Sequence, residues 1–168
     1  MPQTYESIAT TTLGSNAGSV TFSAIPQTYT DLILVSNYRT IGTPAFFGCS
    51  WKANGDTAAN YSSTQFYGNG TSTSSGRNTS YAGYAFESYS TTSSQVAITN
   101  FQNYSNSTTF KTAVSRSSGS GSSELVGAWV SMWRSTAAIT TLTFFSTDVG
   151  GVPFAAGNTF TLYGIKAA

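Results

Sequence analysis

The chain has 168 residues (17.6 kDa), only 8% of them charged, with a formal charge of +1, no histidine and a single cysteine, Cys49. One cysteine excludes an intrachain disulfide framework. Seven scattered cations exclude a basic nucleic-acid footprint, and the missing histidines exclude a Ser-His-Asp triad and a His/Cys zinc site.

No apolar run approaches the ~20 residues that span a bilayer. The segment Met1–Glu6 lacks the basic start and apolar core of a secretory leader, so a soluble protein made in a cytoplasm is expected. The 27 serines and 27 threonines suggest low complexity, but 39% apolar and 14% aromatic residues point to an ordered globular chain instead.

The elements read as β throughout, because Thr, Val, Ile, Tyr, Phe and Trp suit a pleated surface and helical windows are missing. Tyr5–Thr12 is the first predicted strand, or alternatively an arm over residues 1–12. Ser19–Ser23 alternates Val20 and Phe22 and is stopped by Pro26. Asp31–Tyr38 holds the continuous block Leu32-Ile33-Leu34-Val35, which predicts burial on both faces. Phe47, Cys49 and Trp51 alternate in Ala45–Lys52, and Tyr61–Tyr67 follows the turn Asn54-Gly55-Asp56.

Gly68–Ser80 has no apolar residue and reads as a mobile loop. Tyr81–Ser90 alternates Tyr84, Phe86 and Ser88 against Ala85, Glu87 and Tyr89. Gln95–Phe101 places Val96 and Ile98 on one face, and Phe110–Arg116 does the same with Phe110, Thr112 and Val114. Ser117–Ser123 reads as a Gly/Ser loop. Leu125–Trp133, Ile139–Phe145 and Thr159–Ile165 complete about ten strands in a single domain. Their spacing fits an antiparallel β-sandwich or a small closed barrel. Phe22, Phe47, Trp51, Phe86, Trp129, Phe145 and Phe160 are the expected core aromatics.

Little in the chain suggests catalysis. It has no G-x-S-x-G, P-loop or G-x-G-x-x-G pattern. Cys49 reads as a buried small hydrophobe, since a reactive thiolate needs a basic neighbour. Asn54-Gly55-Asp56 could begin a calcium site but reads better as a type I′ hairpin turn. The carboxylates Glu6, Asp31, Asp56, Glu87, Glu124 and Asp148 are scattered; two would suffice for a glycosidase pair, so a carbohydrate-acting enzyme on the same fold is a third alternative. No catalytic residue, cofactor or metal is expected. The N-x-Ser/Thr sequons at Asn60, Asn69, Asn78, Asn103 and Asn106 follow from composition.

Four segments resemble a family of small β-rich virion structural proteins of tailed bacteriophages. They are Ile25–Leu34 (IPQTYTDLIL), Asn54–Ser62 (NGDTAANYS), Trp133–Leu142 (WRSTAAITTL) and Phe154–Ile165 (FAAGNTFTLYGI). The resemblance spans nearly all of the chain from residue 5 onward. It implies a jelly-roll-like β-sandwich on the particle exterior, as a homotrimer, serving as a capsid decoration (cement) protein in some phages and a fibre or tail-tip module in others. The motifs also read as loops and turns, so they support architecture more than activity.

The leading expectation is a non-enzymatic decoration protein that binds the major capsid protein or another virion protein. A chain of this length leaves little room for both a tail anchor and a receptor domain. The rival expectation is a tail module whose loops Gly68–Ser80 and Asn100–Thr109 meet host glycans. Candidate partner-binding residues are Tyr5 and Ile8 on the N-terminal strand and Tyr67, Tyr81 and Tyr104 beside polar loops. No nucleic-acid or membrane partner is expected.

Overall fold

A computed structural model describes residues 4–41, 47–88, 93–118, 126–146 and 153–166; the side chains of residues 47, 87 and 88 are outside the description. Among the described residues there is no helix, so none is long and apolar enough to cross a membrane. Among the described residues twelve strands form: β1 (Tyr5–Thr12), β2 (Ser19–Phe22), β3 (Asp31–Tyr38), β4 (Phe47–Ala53), β5 (Tyr61–Gly68), β6 (Thr73–Ser80), β7 (Gly83–Ser88), β8 (Gln95–Gln102), β9 (Lys111–Ser118), β10 (Val126–Trp133), β11 (Leu142–Ser146) and β12 (Thr159–Ile165).

They build two antiparallel sheets, one in the order β1-β12-β3-β8-β9-β10-β5-β6 and the other β2-β11-β4-β7. The chain alternates between the sheets through β1, β2, β3 and β4, and again through β8, β11 and β12. The order β1-β12-β3-β8 facing β2-β11-β4-β7 is that of a jelly roll. Strands β9, β10, β5 and β6 extend the larger sheet beyond β8, and β7 packs over β9 and β10. The architecture is thus an all-β sandwich, with twelve strands where about ten were expected.

The core lies between the sheets. Trp51 of β4 packs edge-on against Phe101 of β8 (5.0 Å between ring centroids) and Tyr61 of β5 (5.5 Å). Phe22, Phe86, Phe144, Phe154, Phe160, Trp129 and Trp133 are buried around them. Two glycines make room for the indoles. A Cβ at Gly83 would stand 2.4 Å from the Trp51 ring, and one at Gly127 would stand 2.2 Å from Trp129. Cys49 is buried and free, and burial pushes its thiol well above the usual cysteine range, as suits a core residue.

Several expectations are corrected. Thr73–Ser80, within the stretch read as a loop, is the edge strand β6 paired along its length with β5. It has no apolar residue because an edge strand is held by its ladder and neither of its faces needs to be buried. The Leu32–Val35 block is buried on one face only, with Leu32 and Leu34 inward and Ile33 and Val35 on the outer face. Phe145 lies half-buried outside the small sheet, with the Lys52 ammonium 5.0 Å from its ring centroid. The alternation of β7 breaks at a bulge, where Cys49 faces Phe86 and Ser50 faces Tyr84, so Ala85 and Phe86 are both buried. Of the predicted loop Ser117–Ser123, Ser117 and Ser118 end β9 and residues 119–125 lie outside the described residues.

Asn54-Gly55 does form a type I′ turn, with φ of 52° and 68° and an Asp56 N–H to Ala53 carbonyl bond of 2.9 Å. It is not a hairpin, because it carries the chain from the small sheet to the large one.

Candidate functional site

The outer face of the eight-stranded sheet is the surface that stands out. On β8 and β9 the small and polar residues Ala97, Thr99, Ala113 and Ser115 face the core, while Val96, Ile98, Val114 and Arg116 face outward. The inward positions are small because they lie beneath bulky aromatics of the core. The pairing register aligns the outward residues into rows. One row runs Tyr163, Ile33, Asn100, Val114, Val130 and Thr64 across β12, β3, β8, β9, β10 and β5. The adjacent row runs Thr161, Val35, Ile98, Arg116, Ala128 and Phe66. Val126 and Phe66 are 68% and 66% exposed, values seldom left to large apolar side chains in clusters. Two shallow apolar depressions flank Arg116. One, of about 400 Å³, is lined by Tyr5, Ile33, Val35, Ile98 and Tyr163; the other, of about 240 Å³, by Val96, Ile98, Val126 and Gly127.

The outer face of the four-stranded sheet is polar. Thr21, Thr143 and Lys52 form one row and Ser19, Phe145, Ser50 and Tyr84 the next. Beside it, a cleft of about 450 Å³ is lined by Ser50, Lys52, Ser80, Tyr81, Tyr84 and Ser146, with Tyr81 62% exposed at its rim.

The five predicted contact residues fall in different places. Tyr5 is exposed on edge strand β1 and belongs to the apolar outer face. Ile8 sits at a bulge between Ser7 and Ala9 and packs against the core, so its side chain supports β1 rather than meeting a partner. Tyr67 is half-buried against the core. Tyr81 opens onto the polar cleft. Tyr104 is fully buried, its hydroxyl donating to the Pro26 carbonyl, and offers no surface to a partner. Residues 1–3 lie outside the described residues; β1 pairs with β12 as the first strand of its own sheet.

The loops of the glycan reading are closed by Asx turns. Asn69 Oδ1 accepts from the Thr71 and Ser72 N–H groups, and Asn106 Oδ1 accepts from those of Thr108 and Thr109.

The motif blocks meet one another in space. Asp56 Oδ2 accepts from Trp133 Nε1 (2.7 Å) and Asn60 Nδ2 (2.9 Å), and Oδ1 accepts from Ala58 N–H (2.8 Å). Asn54 Oδ1 accepts from the Thr140 and Thr141 N–H groups, and its amide donates to the Ala138 carbonyl. Tyr29 lies so close over Gly164 that a Cβ there would stand 2.3 Å from its ring. These residues fasten loops to strands. The hydrogen bonds from Asn60, then Trp133, hold the Asp56 carboxyl below the usual range against a smaller opposing effect of burial. With both oxygens aimed at N–H donors, Asp56 is not arranged as a cation ligand.

Of the other carboxylates, Glu6 accepts from Lys166 (2.6 Å) and Tyr29 (3.0 Å), and Asp31 from the Asn103 N–H (2.7 Å). The Glu87 side chain, Glu124 and Asp148 lie outside the described residues. Lys111 is buried, with its ammonium donating to the Thr109 and Thr136 carbonyls. No group of three or more His, Cys, Asp or Glu residues that could hold a metal occurs among the described residues. No protein-family model matches the chain, and no curated protein matches it significantly.

Proposed function

We propose that the chain is a non-enzymatic structural protein of a tailed-phage virion, a capsid decoration protein that stabilises the outer surface of the shell. The observation that carries this reading is the apolar, almost uncharged outer face of the eight-stranded sheet. A surface of that kind is poorly suited to remain in water and well suited to protein contact. The four sequence segments that resemble virion proteins support the same reading, and so does their role here as loop fasteners of a rigid jelly roll. The described acids and the cysteine have structural partners or burial rather than the arrangement of a reacting centre.

Decoration acts by mass action. A protein that binds only the assembled shell adds its binding free energy to the shell's stability. Self-association and contact with the major capsid protein are both part of this proposal, as is display on the particle exterior. The test is stoichiometry in purified virions that carry the gene, measured against the major capsid protein. Copies in the hundreds are expected; absence from the particle overturns the reading.

The polar cleft beside Tyr81 favours a second reading, a tail-tip module that binds host glycans. An exposed tyrosine with neighbouring hydroxyls and an ammonium provides a stacking surface and hydrogen-bond donors for a sugar. A handful of copies per virion, with glycan binding lost in Tyr81→Ala, would select that reading over decoration.

A further inference from the structure

We propose that the outer face of the eight-stranded sheet is occupied by a second copy of this chain, the two related by a two-fold axis over Asn100 of β8. This deepens the assembly reading by naming the occupant of its surface.

The area is sufficient. Six strands from β12 to β5, about 4.8 Å apart and about 26 Å long, present roughly 750 Å². Stable interfaces bury about 600–1,000 Å² from each partner, polar and apolar positions together, and this face falls within that range. The charge pattern selects the occupant. On those six strands the register places only two ionic side chains outward among the described residues, Arg116 on β9 and Asp31 on β3. They stand two strands apart and are offset by four residues along the sheet. Their midpoint is Asn100, which pairs with Ile33 on one side and Val114 on the other.

A two-fold axis lying in the interface over Asn100, perpendicular to the line joining the two charges, sets Arg116 of each copy on Asp31 of the other. One contact geometry then neutralises both buried charges, as burial of an ion requires. Asn100 meets its own counterpart at the axis, where an amide can both donate and accept. The strands of the two copies cross steeply, in the orthogonal class of sheet packing. Each interface is isologous and closes on itself, giving a pair through this face. This differs from the trimer that the family resemblance implies. The low net charge of +1 removes long-range repulsion between copies.

The test is analytical ultracentrifugation of the isolated chain from about 1 to 100 μM, a range that brackets micromolar affinity. Circular dichroism on each variant confirms that it folds. The expected result is a monomer–dimer equilibrium. Arg116→Asp weakens it about tenfold, the double exchange Arg116→Asp with Asp31→Arg restores it, and Val126→Lys with Val130→Lys weakens it about tenfold through apolar loss. Asp31→Asn, which keeps an acceptor for the Asn103 N–H, serves where Asp31→Arg perturbs folding; it must weaken the dimer too.

A monomer throughout the range, an oligomer indifferent to Val126→Lys with Val130→Lys, or a folded exchange variant that fails to rescue overturns the proposal. The measurement uses no virions, so the two readings fail separately. A monomer that still coats particles assigns the face to the capsid, and a dimer absent from particles leaves the pairing intact without the decoration role.

Discussion

Crossing the outer face of the large sheet at mid-strand, one meets Tyr163, Ile33, Asn100, Val114 and Val130. Crossing the outer face of the small sheet, one meets Thr21, Thr143 and Lys52. Both faces belong to strands that alternate in the same way and both cover the same core. The small sheet largely uses alternation as a water-exposed antiparallel sheet does, apolar inward and polar outward, with Phe145 and Tyr84 the aromatic exceptions on its outer face. On β8 and β9 Val96, Ile98 and Val114 point away from the core, while Ala97, Thr99, Ala113 and Ser115 point inward beside core aromatics that include Phe101 of β8 itself. Alternation therefore defines two faces of a strand, but it does not say which one is buried within the chain and which one awaits a partner.

The strongest way to break the comparison is to remove the core that both faces share. Trp51→Ala should cost about 3–5 kcal/mol in denaturant unfolding, because it empties the contacts with Phe101 and Tyr61. Both outer faces should then be lost together in one transition.

Next in size is Asp56→Ala, which leaves the Trp133, Asn60 and Ala58 donors without their acceptor and should cost about 1–3 kcal/mol. Its pH dependence has a definite sign. The folded carboxyl titrates below its ordinary value of 3.8, so its contribution is full above about pH 4 and is lost as pH falls through the lowered folded value. The wild-type chain should lose stability more steeply than Asp56→Ala below pH 4, as followed by thermal unfolding.

A direct contrast of the faces comes third. Val126→Lys with Val130→Lys should weaken association about tenfold, or ~1.4 kcal/mol. Ser19→Lys with Ser23→Lys, carrying the same charge at the same spacing on the small-sheet side, should leave it unchanged. Both pairs should alter folding stability by no more than about 0.5 kcal/mol, since the sites are exposed. The smallest effect is expected of Lys52→Ala, which removes the ammonium over Phe145 and should cost about 0.5–1 kcal/mol in unfolding without touching association.

The sequence was legible wherever local chemistry determined the outcome. Strands Tyr5–Thr12, Asp31–Tyr38 and Thr159–Ile165 match the predicted boundaries, and Asn54-Gly55 and Ala156-Gly157-Asn158 form turns, with Gly157 at φ 86°. The misses share a cause in long-range context. Strand β6 has no apolar residue to report it; only its partner β5 makes it a strand. The block at Leu32–Val35 was a correct sign of two apolar faces, but one of them is open within this chain. Tyr104 looked like a loop-border tyrosine because nothing local reveals that Pro26 waits for its hydroxyl. The candidate surface was only partly legible. Tyr5 was found, whereas Phe66, Val114, Val126 and Val130 become one patch only when β5, β9 and β10 are set side by side.

The most direct test of the central claim is hydroxyl-radical footprinting of the assembled protein against the same protein diluted to monomer. The account predicts protection of Tyr5, Phe66, Met132 and Tyr163, with Tyr81 and Phe145 as reactive in the assembly as in the monomer. Protection of Tyr81 and Phe145 with an unchanged large-sheet face would contradict it and move the assembly surface to the small sheet.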